Sequence, residues 1–244
     1  MKDGSDRVCD IGHRRARIVR SMDRPGDPEI FVRELLRWGR RNRRDFPWRS
    51  ETDPFRILVA EVLLQRSRGK TVAGVYRTVF ERWPDARALA RAPVRSIRAV
   101  IRPLGLVGRA ETLRALARAV VERGGVPRTV EGLLELPGVG PYAAHATLAV
   151  AFGKRVPTVD GVTARVYRRF FGLPEGRPAS TDPELWRLVE EVTPARRVRE
   201  WNWAVLDLAS SVCLPRRPRC PECPLRAYCR WSLGVAEQRV GPRR

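Results

Sequence analysis

Residues 130–171 read VEGLLELPGVGPYAAHATLAVAFGKRVPTVDGVTARVYRRFF, and the rest of the chain is organised around them. An apolar helical turn, Val130 to Leu136, runs into Pro137-Gly138-Val139-Gly140, a sequence that neither a helix nor a strand interior tolerates well. An Ala-rich helical run follows at once, so the stretch predicts helix, hairpin, helix. Two glycines let the backbone turn sharply and leave bare N–H groups at the N-terminus of the second helix, where a phosphate is well held. Beyond it, the extended Val156-Pro157-Thr158-Val159 leads to Asp160 and a further helical pattern. Asp160 is placed to cap that helix and to present a carboxylate beside the hairpin.

The chain has 244 residues, enough for one large domain or two small ones with a sizeable core. Its formal charge is +21, and only Lys2, Lys70 and Lys154 are lysine, so 45 of the 48 basic residues are arginine. A surplus of that size argues for a polyanionic partner, although an Arg-rich composition alone gives the same sum. The longest nearly apolar run, Ala143 to Phe152, is ten residues and contains His145, too short for a membrane span. The first twenty residues lack an apolar core of signal-peptide length. A cytosolic protein without a membrane partner is expected, and there disulfides are disfavoured, so clustered cysteines call for another explanation.

Residues 1–27 are basic and aperiodic, and read as a loosely ordered arm. From Asp27 a helix begins with Ile30, Phe31, Leu35, Leu36 and Trp38 on its apolar face, and RRDFPWR (43–49) ends it at Pro47 with two flanking aromatics. That segment has the composition of a core plug at a helix junction. In DPFRILVAEVLLQR (53–66) Glu61 stands alone among apolar residues. An unpaired carboxylate there costs several kcal/mol to bury, so it is exposed, paired with an arginine, or functional. Further helices are broken at Pro84, Pro93 and Pro103, and RPLGLVGRAETL (102–113) gives a Gly-rich loop feeding another helix. After Gly172 a polar linker, PEGRPASTDPE (174–184), precedes two amphipathic helices; Thr181 and Glu184 form a capping box for the first, around Leu185 to Val192, and the second covers Arg199 to Val212. Strand signals are scarce, and the chain reads as all-α.

Cys213, Cys220, Cys223 and Cys229 are spaced C-x6-C-x2-C-x5-C, while Cys9 is isolated. Four thiolates this close together fit Zn(Cys)4 or a [4Fe–4S] cluster, and spacing alone does not choose. Arg216, Arg217, Arg219, Arg226 and Arg230 thread the same loop, which would present them to phosphate.

LPGVGPYAA (136–144), VPTVDGVTARV (156–166), EVLLQ (61–65) and the cysteine spacing resemble the helix-hairpin-helix DNA glycosylases of the endonuclease III superfamily, and the likeness runs in order from Arg43 to Cys229. It implies a two-lobed helical fold: residues 53–173 form the lobe with the hairpin, and residues 28–52 with 174–244 form the lobe carrying the cysteines. It implies a [4Fe–4S] cluster rather than zinc, Asp160 as a catalytic aspartate, and Glu61 as the residue that protonates the target base. Gly138, Val139 and Gly140 would grip the DNA backbone. Gln65 matches a residue inserted into the duplex, with Arg66 beside it, and Leu106 stands where the family enters the minor groove, unless it is a core leucine. Both adenine-mismatch and thymine-mismatch enzymes carry a segment like RRDFPWR.

Position 142 discriminates within the superfamily. Bifunctional members carry a lysine there for a Schiff base with the sugar; Tyr142 cannot form one. Tyrosine resembles the thymine and uracil glycosylases of G·T and G·U mismatches, although Pro141 replaces their basic residue. Typical adenine enzymes have a small residue here and a further C-terminal domain, for which the fifteen residues after Cys229 leave no room. The expected activity is a monofunctional, monomeric, nucleoid-associated base excision repair enzyme that removes thymine or uracil opposite guanine from duplex DNA. An adenine glycosylase and a non-catalytic DNA-binding protein are the alternatives.

Overall fold

The computed structural model describes residues 25–105 and 108–234. The basic arm up to residue 24, Cys9 and the wedge candidate Leu106 lie outside the described residues. Among the described residues there are eleven α-helices, a few 3-10 turns and no strand. No helix there is long and apolar enough to cross a membrane.

Helix starts follow sequence chemistry closely. α1 (Pro28–Asn42) is capped by the Asp27 carboxylate, which accepts from the N–H groups of Glu29 and Ile30, with proline in the first turn. α2 (Pro54–Leu64) repeats the device with Asp53 and Pro54. The prolines at 84, 93 and 103 separate α3 (Gly69–Arg82), α4 (Ala86–Arg91) and α5 (Val94–Ile101), and α6 (Arg109–Glu122) follows. The hairpin lies between α7 (Val130–Leu134) and α8 (Pro141–Phe152), and Asp160 starts α9 (Gly161–Phe171). α10 (Pro183–Val192) and α11 (Val198–Ser211) complete the bundle.

The cap of α10 corrects the expected Thr181–Glu184 box. Asp182 is the cap, accepting from the Leu185 N–H at 3.2 Å, because Pro183 fixes the first helical position and makes its predecessor the N-cap. Thr181 instead turns its hydroxyl onto the Pro178 carbonyl. Asp182 is also held by Arg168 at 2.7 Å.

Two large apolar clusters form. The first draws on Trp48 to Leu148, with α2, α3, α6 and the start of α8 at its centre. The second joins Phe31 and Leu35 of α1 to Val159, Tyr167 and Phe170 around α9 and to Trp201, Val205 and Leu225. Ile57, Val150 and Trp203 make a small bridge. α8 and α9 therefore serve different cores, and the connection carrying Asp160 crosses from one to the other.

RRDFPWR is anchored at this seam. Trp48 is buried in the first cluster and stacks on Phe46 at 4.8 Å. The buried Arg49 grips Asp207 of α11 through two hydrogen bonds of 2.5 and 2.7 Å, and Arg44 reaches the same carboxylate at 2.6 Å. Removing one partner would strand a buried charge, a loss of about 3 to 5 kcal/mol.

Candidate active site

The hairpin is a reverse turn in which the Val139 N–H donates to the Leu136 carbonyl at 3.1 Å. Pro137 and Gly138 occupy its centre, and Gly138 has φ +77, as a type II turn requires. A Cβ on Gly138 would lie 2.3 Å from the Thr112 methyl, whereas one on Gly140 would meet nothing within 4 Å. The exposed backbone donors of the hairpin are thus those of Gly138, Gly140 and the first turn of α8, where Pro141 has no N–H to leave unpaired. Val139, expected at the DNA, has its side chain in the first core and its N–H spent within the turn. Its part is to hold the loop.

A second turn faces the first. Ser67 N–H donates to the Leu64 carbonyl at 3.0 Å, and Arg66 takes the left-handed position with φ 55, where glycine is the usual residue. Gln65 therefore leaves the α2 helix instead of continuing the face of Glu61. Its Nε2 donates to the Gly138 carbonyl at 2.9 Å, tying the two turns together. Arg109 ties down the base of the loop, donating to the carbonyls of Leu63 at 3.0 Å and Gln65 at 2.6 Å.

Asp160 is both a helix cap and a pocket residue. Its Oδ1 accepts from Val162 N, Thr163 N and Thr163 Oγ1 at 2.9, 2.7 and 2.8 Å, while Oδ2 makes no hydrogen bond among the described residues. It shares with Gln65, Gly138, Gly140 and Tyr142 an open groove of about 760 Å³, closed on the far side by Ala179, Ser180 and Trp186. That is room for one extruded nucleotide.

Glu61 lies half-buried behind this wall. Burial, reinforced by the Asp160 charge and only partly offset by Arg49, pushes its carboxyl up from 4.5 to about 7. The Tyr142 phenol is driven well above its ordinary range by burial, with Glu61 and Asp160 adding to it. Glu61, Tyr142 and Asp160, chosen from sequence, thus form one interacting group. Arg49 and Tyr167 belong to the same electrostatic neighbourhood and were not singled out. For Arg49 a signal existed, since it is the last residue of RRDFPWR; for Tyr167 the only one was its spacing of seven residues from Asp160.

Cys213, Cys220, Cys223 and Cys229 line one cavity, walled by Val166, Phe170, Leu208 and Leu225. No group of three or more His, Cys, Asp or Glu among the described residues is arranged to hold a metal ion. Burial raises the Cys223 thiol to about 12, and the three other sulfurs push in the same direction. Four thiolates in such a pocket need a cation among them, which is the donor set of a metal cluster. Arg165 donates to the Cys213 carbonyl at 2.8 Å and Arg169 to the Leu214 and Pro215 carbonyls at 2.8 and 2.7 Å, clipping the loop to α9. Of the loop arginines, Arg216, Arg217 and Arg226 are exposed. Arg230 departs from the expected role, because its guanidinium donates to the Pro25 carbonyl at 3.2 Å and its stem lies over Gly26 and Gly172.

A turn of exposed backbone donors, a carboxylate with one open oxygen and a cysteine loop on the same helix define a base-excision site. Residues 59–191 match the family described as HhH-GPD superfamily base excision DNA repair protein, and the chain belongs to it. Among its relatives is a thymine/uracil-DNA glycosylase of Methanothermobacter thermautotrophicus, 35% identical over 82% of this chain and 92% of that protein. A solved thermostable thymine-DNA glycosylase superposes with a TM-score of 0.79 at 35% identity, covering 85% of this chain and 97% of that one. The adenine DNA glycosylase of Homo sapiens is 35% identical over 86% of this chain but only 41% of its own length.

Proposed function

We propose that the protein is a monofunctional DNA glycosylase that hydrolyses the N-glycosidic bond of thymine or uracil paired with guanine. The observation that carries the reading is the Asp160–Tyr142–Glu61 group beside the hairpin groove, with tyrosine where an imine-forming amine would have to stand. Full-length similarity to thymine/uracil enzymes supports the choice of base over adenine.

A mismatched base is cheap to unstack, and the groove would receive it. The exposed N–H groups of Gly138 and Gly140 hold the sugar-phosphate backbone, and Arg66 adds charge from the opposing turn. For Gln65 to enter the duplex its bond to the Gly138 carbonyl must open. As the C1′–N bond lengthens, positive charge develops on the sugar, and the open oxygen of Asp160 stabilises it or orients the water that attacks. Glu61, carrying a proton near neutral pH, donates to a carbonyl oxygen of the departing pyrimidine. Tyr142 walls the pocket and fixes the sugar or the base.

The four cysteines would hold a [4Fe–4S] cluster that orders the loop and its exposed arginines for phosphate contact. With all its thiolate positions filled, the cluster contributes folding rather than chemistry. The two lobes are those outlined from sequence, the protein acts as a monomer, and DNA as substrate places it at the nucleoid.

The test is a panel of duplexes carrying G·T, G·U, A·G and A·8-oxoguanine pairs. Abasic sites should form first at G·T and G·U, be cut only after heat and alkali, and leave no borohydride-trapped complex. Faster release of adenine would replace this reading by the adenine one, and efficient trapping would mean that another amine reaches C1′.

A further inference from the structure

Tyr167 has no part in the scheme above, yet its environment is unusual. The side chain is fully buried in the second core, with its ring 5.6 Å from that of Phe31. Its hydroxyl finds no hydrogen-bond partner among the described residues. A buried hydroxyl left so costs about 1 to 3 kcal/mol, enough to make phenylalanine the better residue for packing alone.

Its place on α9 supplies the missing acceptor. Tyr167 lies seven residues beyond Asp160, two helical turns along the same face and about 10 Å further down the axis. Helical side chains lean back toward the N-terminus, so the phenol spans most of that distance toward the cap. There the aspartate has complementary needs: Oδ1 already receives three donors and Oδ2 none. A donor without an acceptor and an acceptor without a donor share one helix face. Burial and the nearby Asp160 charge hold the phenol well above its ordinary range, so it stays a donor at any working pH.

We propose that Tyr167 is a positioning residue for Asp160: its hydroxyl holds a single water against Oδ2 and thereby fixes the rotation of the carboxylate toward the groove. The inference rests on the catalytic reading of Asp160. With Oδ1 fixed by the helix cap, the carboxylate plane still turns about its last bond, and a second hydrogen bond from inside the protein removes that freedom before DNA arrives.

The experiment is Tyr167→Phe, which deletes one oxygen and keeps the ring against Phe31, compared with Asp160→Asn in single-turnover excision, DNA binding and melting. Excision by Tyr167→Phe should slow about tenfold with duplex affinity and melting temperature unchanged or raised. A wild-type rate in Tyr167→Phe, with Asp160→Asn inactive, overturns the positioning role and spares the catalytic one; a wild-type rate in Asp160→Asn overturns the catalytic reading itself. Should the phenylalanine variant melt lower, a high-resolution crystal structure of the wild type decides. A water within hydrogen-bond distance of both oxygens upholds the proposal, and none there overturns it.

Discussion

Asp160 divides its two oxygens between two tasks, one building α9 and one facing the groove. Asp160→Asn keeps the shape and removes the charge. Excision should fall by about a thousandfold while duplex affinity stays within about twofold of wild type, measured by single-turnover kinetics and titration. Glu61 makes a different prediction, because its carboxyl titrates near 7 in the fold. It donates while protonated and stops donating as pH rises through that value, so wild-type excision should decline on the alkaline side. Glu61→Gln keeps a donor at every pH and should flatten the profile between about pH 6 and about pH 9. Stability has its own sign: the folded value lies above the ordinary 4.5, so Glu61 costs nothing below 4.5 and progressively destabilises the fold as pH climbs through 7. At pH 8 the glutamine variant should therefore melt higher than the wild type, by roughly 3 °C.

The hairpin glycines look equivalent in the motif and differ in the fold. Gly138 needs its left-handed backbone and has the Thr112 methyl where a Cβ would go, so Gly138→Ala should cost about 1 to 3 kcal/mol of stability in denaturant unfolding. Gly140 has ordinary φ and open space beside it, so Gly140→Val should leave melting unchanged and weaken DNA binding about tenfold by blocking phosphate from the N–H groups. Unchanged affinity in Gly140→Val would remove the hairpin from the DNA surface. What the sequence made legible here is what short-range geometry dictates: Pro-Gly turns, aspartate caps, cysteine spacing. Arg49 and Asp207 are 158 residues apart, and only tertiary structure brings them together. Val139 was assigned to DNA because the motif marks a loop without saying which of its residues points inward.

Across the whole molecule, the cysteine cavity predicts a brown protein with about four iron atoms per chain by metal analysis. Colourless protein with stoichiometric zinc, after anaerobic handling, would sink the cluster. The all-helical architecture was readable because proline and aspartate punctuate nearly every helix. How α8 and α9 split between two cores was not, since both runs are apolar enough for either. That split has a consequence for how the enzyme comes into being. The ribosome delivers residues 48–148, the whole of the first core, before Asp160 has emerged. Phe31 and Leu35 are made earlier still, yet their partners extend as late as Leu225. A nascent chain thus exposes one wall of the groove without an ordered aspartate opposite it, and the capacity to cut a base from DNA arrives only when the last-made helices close on the first.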